Sequence, residues 1–265
     1  MRCVWDNDLH IHSKISVCSN LPEQSTERIL SYAVENGLKT ICLTDHFWDD
    51  AVAGASDWYK PQNFEHISAA KPLPQTDGVR FLFGCETDLD KFLTLGISKE
   101  RLDEFSFIVI PTTHFHMKGF TLSEDETASP KSRAEAWVKR LDKVLGMDLP
   151  FHKVGLAHLT CGLIAPKRDE YLETIKLIPS EEMQRLLKKA AELGVGIELN
   201  RGDMSFADDE KDIVLRPYRI AKQCGCKFYF GSDAHSPAQL DKSKAVFERA
   251  IDLLELTEDD KFILK

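Results

Sequence analysis

Several things are missing from this chain of 265 residues, and each absence removes a class of function. No run of about 20 apolar residues occurs, so no membrane-crossing helix is expected. The opening MRCVWDNDLH has no basic region followed by an apolar one, so no secretory signal is expected either. Excess positive charge is absent too: the formal net charge is -9, which disfavours general binding to nucleic acid or to an anionic membrane. There is no Gly-x-Ser-x-Gly elbow and no phosphate-cradling P-loop, so neither a serine hydrolase nor a P-loop NTPase is indicated. Pro/Gly/Ser-rich linkers and low-complexity stretches are lacking as well, which favours one domain over residues 1–265. The seven cysteines form no second CxC or CxxC beside Cys224-Gly-Cys226, and an odd number without an export signal points to reduced thiols in the cytoplasm.

Short β-rich apolar runs instead alternate with amphipathic helical ones from end to end. Strands are expected near 3–11, 39–45, 80–86, 105–113, 153–158, 195–200 and 226–231. Helices are expected near 25–36, 63–70, 98–104, 129–146, 180–193, 213–224 and 243–255. Seven βα units predict an α/β fold with a parallel sheet closed as a seven-stranded barrel, with an open doubly wound sheet as the alternative. Residues 46–62, 114–130, 159–179 and 201–212 are long for connections that usually run about two to six residues. Long loops on this side of a barrel are where enzymes build their sites.

Seven of the nine histidines sit at those strand ends: His10 and His12 in DNDLHIHS, His46 in LTDHF, His114 and His116 in PTTHFHM, His158 in LAHLT and His235 in FGSDAH. His66 and His152 lie outside the pattern and receive no role. Glu86 closes the apolar run VRFLFGCE, and Asp233 stands two residues before His235. Residues two apart in a strand share a face, so HIH presents two imidazoles together, a costly burial without a common partner. Each residue alone could be a satisfied core histidine or half of a salt bridge. Together they point to divalent transition metals, whose preferred donors are neutral imidazole and carboxylate. Three divalent ions would add about +6 and reverse the sign of the local field.

The ordered set of HIH, TDH, GCE, the two single histidines and GSDAH, spanning residues 8 to 235, resembles the polymerase and histidinol phosphatase (PHP) family of metal-dependent phosphoesterases. The resemblance implies a distorted (β/α)7 barrel with two to three ions of zinc, iron or manganese at the C-terminal ends of the strands. It implies that His10, His12, Glu86 and Asp233 hold one ion, that Glu86 bridges to a second completed by His114 and His158, and that His46 and His235 hold the third. Asp8 and Asp45 would orient imidazoles. The family commonly supplies a further histidine or aspartate a few residues after HIHS, where this chain has Val17 and Cys18; Cys18 could ligate as a thiolate or be an ordinary loop cysteine.

The remaining candidates are weaker. His116 could bind metal or phosphate, protonate a leaving group, or be a solvated loop histidine; with Asp45 it completes the expected catalytic pair. Arg201, assisted by Asn200, could grip phosphate, and Lys167, Arg168 and Arg216 are further cationic candidates. Trp48, Trp58 and Tyr59 could stack on an organic group or pack their loop. The expected activity is hydrolysis of a small phosphate monoester, as in a histidinol phosphatase. The alternatives are a nuclease or nucleotide phosphodiesterase of the same family, or a non-catalytic metal-binding regulatory module. An amidohydrolase barrel would need a bridging lysine on its fourth strand, and SFIVIPTTH has none.

Overall fold

The computed structural model describes residues 1–19 and 21–264. Its strands are β1 (Asn7–Ile11), β2 (Thr40–Leu43), β3 (Arg80–Phe83), β4 (Cys85–Glu86), β5 (Ile108–Pro111), β6 (Val154–Ala157), β7 (Gly196–Asn200) and β8 (Lys227–Gly231). All named pairings are parallel, in a three-stranded sheet β1-β2-β3 and a five-stranded sheet β4-β5-β6-β7-β8. The seven expected strands are therefore present, the third being split at Gly84. A Cβ there would stand 2.4 Å from the Phe107 carbonyl oxygen and 2.7 Å from Cys42 Sγ, so only glycine lets the chain pass between its neighbours. On one side of it β3 pairs with β2, and on the other β4 pairs with β5.

The outer edges meet differently from the expected closed ladder. Asn7 Oδ1 accepts from the Phe230 N–H at 3.2 Å, and Asp8 Oδ1 from the Ser232 N–H at 2.9 Å. Backbone bonds join the edges only beyond them, from Asp233 N–H to the His10 carbonyl at 2.7 Å and from His12 N–H to that of Ala234 at 3.2 Å. Side-chain acceptors on β1 thus occupy places where backbone carbonyls would continue a ladder, and β1 itself is irregular between Asp8 and Ile11.

The helices cover the strands. They are α1 (Thr26–Asn36), α2 (Phe64–Ser68), α3 (Pro130–Leu145), α4 (Arg168–Leu177), α5 (Ser180–Leu193), α6 (Lys211–Val214), α7 (Arg216–Gln223), α8 (Pro237–Asp241) and α9 (Ser243–Leu254). Ser25 caps α1 by accepting from Arg28 N–H, and Gly37 ends it in the left-handed conformation. In α5 the buried residues Met183, Leu186, Leu187 and Ala190 recur with helical spacing and seal one face onto the core. Two expectations change. Residues 99–104 form a 3-10 helix, and the stretch 159–179, expected as a loop, contains α4, whose Tyr171, Thr174 and Ile175 are buried. That spacing was present in RDEYLETIKL, between Pro166 and Pro179. No helix among the described residues is long and apolar enough to cross a membrane.

The link from core to strand ends runs through Arg140 of α3, which is fully buried. Its guanidinium donates to the carbonyls of Thr112 (3.1 Å), Thr121 (2.7 Å), Leu89 (3.0 Å) and Asp90 (3.3 Å), and lies 3.8 Å from Asp88 Oδ1. Arg140→Met removes the charge and leaves those buried acceptors unmet. A loss of about 3–5 kcal/mol is expected in urea unfolding, the scale for removing one partner of a buried ionic network. A loss below 1 kcal/mol would mean that water reaches these carbonyls.

Candidate metal centre

Five of the seven imidazoles at the strand ends, those of His10, His12, His46, His114 and His158, converge on one buried carboxylate. His10 lies in β1 and His12 just after it, with their Nε2 atoms 3.2 Å apart. His46 follows β2 and is held beside β4 by the Phe47 N–H to Glu86 carbonyl bond at 2.8 Å. His114 follows β5, His158 begins the loop after β6, and Asp233 and His235 follow β8.

Glu86 ends β4 at 0% exposure, and its two oxygens face different neighbours. Oε1 lies 3.8 Å from His114 Nε2 and 3.9 Å from His158 Nε2. Oε2 lies 3.3 Å from His12 Nε2, 3.5 Å from His10 Nε2 and 2.8 Å from His46 Nδ1. Asp233 completes the inner ring, with Oδ1 3.2 Å from His12 Nε2 and Oδ2 3.5 Å from His158 Nε2. Donors about 2.1 Å from a common tetrahedral ion lie about 3.4 Å apart, so most of these separations are those of atoms sharing an ion. Neither oxygen of Glu86 has an aligned hydrogen-bond donor, and buried His46 Nδ1 has no aligned partner. Such orphaned groups are expensive unless a cation completes them. The residues therefore fit divalent metal, and three-donor groups gather as His10–His12–Glu86 and Glu86–His114–His158.

The electrostatics agree. Burial opposes charge on Glu86 and Asp233, yet the imidazoles around them hold both carboxyls well below the usual range. Burial likewise opposes charge on His10 and His12, but the surrounding carboxylates hold His10 well above its ordinary value and raise His12 to about 10. Two of the converging residues carry backbone strain, His158 at φ 60° and Asp233 at φ 50°, a left-handed conformation uncommon outside glycine.

Orientation of the imidazoles comes from carboxylates that the motifs did not reveal. His10 Nδ1 lies 2.6 Å from Glu198 Oε1, His114 Nδ1 2.8 Å from Asp88 Oδ2, and His158 Nδ1 3.4 Å from Asp203 Oδ1. Each fixes which ring nitrogen faces the centre. Glu198 could have been found by the reasoning that found Glu86, since it too is a carboxylate in an apolar strand, GIELN. Of the two aspartates expected in this role, Asp45 has Oδ1 4.0 Å from His12 Nδ1, and both have their hydrogen bonds elsewhere. Asp8 accepts from Tyr32 Oη at 2.9 Å and from Ser232 N–H, while Asp45 accepts from both the N–H and the hydroxyl of Ser13, each at 2.7 Å.

Above the carboxylates opens a cavity of about 460 Å³, lined by Cys18, His46, Trp58, Glu86, His114, His116, Met117, Leu163, Asp233 and His235. His116 packs edge-on to His114 with ring centroids 5.5 Å apart, and partial burial, with repulsion from the neighbouring imidazole, lowers its pKa to about 4. Asp45 does not line this cavity, nor do Asn200 and Arg201. Asn200 Nδ2 donates to Glu198 Oε2 at 3.2 Å, and Arg201 Nε donates to the Ser232 carbonyl at 3.1 Å, so both brace strand ends instead. Lys167, Arg168 and Arg216 are also outside the lining; Arg168 pairs with Glu210, and Arg216 donates to carbonyls at the end of α4. Of the loop aromatics, Trp48 and Tyr59 are buried, Tyr59 donating to Asp88 at 2.8 Å, and Trp58 faces the cavity.

Known proteins share the fold to different degrees. A histidinol phosphate phosphatase from Lactococcus lactis, solved with zinc, L-histidinol and phosphate, superposes with a TM-score of 0.57 over 92% of this chain and 93% of its own, at 18% identity. The HPPK-DHPS protein of Plasmodium falciparum with pteroate, at 11% identity and a TM-score of 0.41, covers 94% of this chain and 48% of its own. No curated protein sequence is a significant match. The family model of the PHP domain matches residues 8–202, from the aspartate before HIH to the loop after β7. With that match over most of its length, the chain belongs to the PHP family and is a metal-dependent phosphoesterase.

Proposed function

We propose that this protein hydrolyses a phosphate monoester of a small organic molecule, using two to three divalent ions. The observation that carries the reading is the division of Glu86, one oxygen toward His114 and His158 and the other toward His10, His12 and His46, in the lining of a cavity of about 460 Å³. His10, His12, Glu86 and Asp233 would hold the first ion, Glu86, His114 and His158 the second, and His46 and His235 would contribute to a third. Zinc, iron or manganese bound by these residues would supply an acidified water near neutral pH and positive charge for the phosphoryl oxygens. Glu198, Asp88 and Asp203 keep the imidazoles of His10, His114 and His158 in the tautomer that suits a metal.

The cavity supports the choice of substrate. Its volume suits a small molecule and is too confined for a duplex. No lysine or arginine is among the described residues that line it, so the phosphate has only the metal centre and His116 to meet. Trp58, Met117 and Leu163 offer an apolar wall to the leaving group, and His116, neutral at pH 7, can donate an N–H to the leaving oxygen. A histidinol-phosphate-like ester, with a planar ring to lie on Trp58, suits this wall. The two sheets together make one distorted seven-stranded barrel and a single domain, and the unpaired cysteines suit a reducing cytoplasm.

Activity on p-nitrophenyl phosphate, bis-p-nitrophenyl phosphate, histidinol phosphate and nucleotides, each with manganese, zinc or iron, tests this. Monoesters are expected to turn over only with metal. Turnover of diesters alone would sink the monoesterase reading, and tight metal binding without turnover of any ester would leave a metal-binding module.

A further inference from the structure

The loop after β1 brings a sulfur to the rim of the centre. Cys18 is exposed and lines the cavity beside His46 and His235. Its Sγ and one ring nitrogen from each of His12, His46 and His235 all lie within 4.8 Å of one another. The loop is fixed on both sides of the thiol: Val17 N–H donates to Gln62 Oε1 at 3.1 Å, Ser19 Oγ to the His235 carbonyl at 2.8 Å, and Ser19 N–H to the Ser16 carbonyl at 2.9 Å. Asp45, by gripping Ser13 twice, anchors the start of the same loop. The sulfur is therefore held in place rather than carried on a free segment.

The facing nitrogens point to a ligand independently of the cysteine. The His46 side chain is only 8% exposed, and its Nδ1 has no aligned partner. His235 Nδ1 lies 2.8 Å from the Asp233 carbonyl oxygen, which fixes the proton on Nδ1 and leaves a lone pair on Nε2. Two imidazoles alone make a weak site, whereas two imidazoles and a thiolate are a good zinc donor set.

We propose that Cys18 is a thiolate ligand, with His46 and His235, of the outermost divalent ion. This rests on the phosphoesterase reading for the presence of ions, but concerns only which atoms hold the last of them. On binding, the S–H bond breaks, its proton passes to solvent, and a sulfur–metal bond forms. The soft donor biases this one position toward zinc and away from manganese.

Titration of the metal-free protein with cobalt(II), read by absorption and by bound cobalt per chain, tests it. The wild type is expected to develop a near-ultraviolet sulfur-to-cobalt charge-transfer band with the last equivalent bound. Cys18→Ser should lose the band and one tightly held ion while still filling the inner positions, which also shows that it is folded. Cys18→His should regain the ion without the band. Saturation of the wild type with no band, or a band that survives in Cys18→Ser because another thiol such as Cys161 supplies it, would overturn the thiolate assignment and leave the phosphoesterase reading standing. A wild type that binds no cobalt would sink both.

Discussion

Glu86→Gln is expected to lower metal-dependent monoester turnover by on the order of 10³-fold in kcat/KM, the scale of removing a principal electrostatic stabiliser of the transition state. The substitution preserves volume and removes only charge and one acceptor. In the wild type Oε1 faces His114 and His158 while Oε2 faces His10, His12 and His46. A neutral amide has one oxygen with lone pairs and an NH₂ with none to give, so it can serve one side and not both. Elemental analysis should show at least one ion fewer per chain. Metal at a hundredfold excess over its Kd stabilises a binding protein by about 2.7 kcal/mol, and the variant should show a smaller metal-induced rise in Tm than the wild type. Wild-type activity with a full complement of metal would end the bridging role of Glu86.

The set of side chains that converges on Glu86 was legible because its demands are local and severe. A histidine or carboxylate closing an apolar strand has few other ways to be satisfied, and six such strand ends in order left little room for accident. The fold was legible for a related reason: alternation of strand-like and helix-like periods specifies a parallel α/β arrangement before any contact is known. What could not be read were relations between elements. Asp8, which neighbours HIH in its motif, was expected to orient a ring, but its carboxylate accepts from Tyr32 Oη at 2.9 Å and from the Ser232 N–H at 2.9 Å. Asp8 and Asn7 bind backbone N–H groups across the β1–β8 edge instead, which is also why a continuous ladder does not close there. The carboxylate that does orient His10 comes from β7, a strand not adjacent to β1 in the sheet order. Arg201 and Asn200 were placed correctly at a strand end, but which way a side chain turns from that end depends on neighbours that the linear pattern does not contain.

The strand lying between His10 and Glu198 explains how that distant contact is possible, and gives the second large effect. Gly231 ends β8, and a Cβ on it would stand 2.0 Å from Glu198 Oε1, 2.9 Å from Glu198 Cδ and 2.8 Å from His10 Cβ. The missing side chain is the space through which the carboxylate reaches the ring. Gly231→Ala must therefore push Glu198 off His10 Nδ1, and with it the bonds that Glu198 Oε2 accepts from His158 N–H at 3.1 Å and Asn200 Nδ2 at 3.2 Å. Loss of a carboxylate that orients a ligating histidine costs about 10–100-fold in metal affinity or activity, and forcing a methyl into a packed interior costs about 1–3 kcal/mol. Glu198→Gln, which keeps the volume, separates the two: it should weaken metal binding to a similar degree while leaving the Tm of the metal-free protein much closer to wild type. Shortening the obstructed side chain should also relieve the strain, so the metal-free Gly231→Ala/Glu198→Ala double variant is expected to be more stable than the sum of the single changes predicts. A metal-free Gly231→Ala protein melting with the wild type would show that the carboxylate has another place to lie, and that the gap in β8 is not what joins Glu198 to His10.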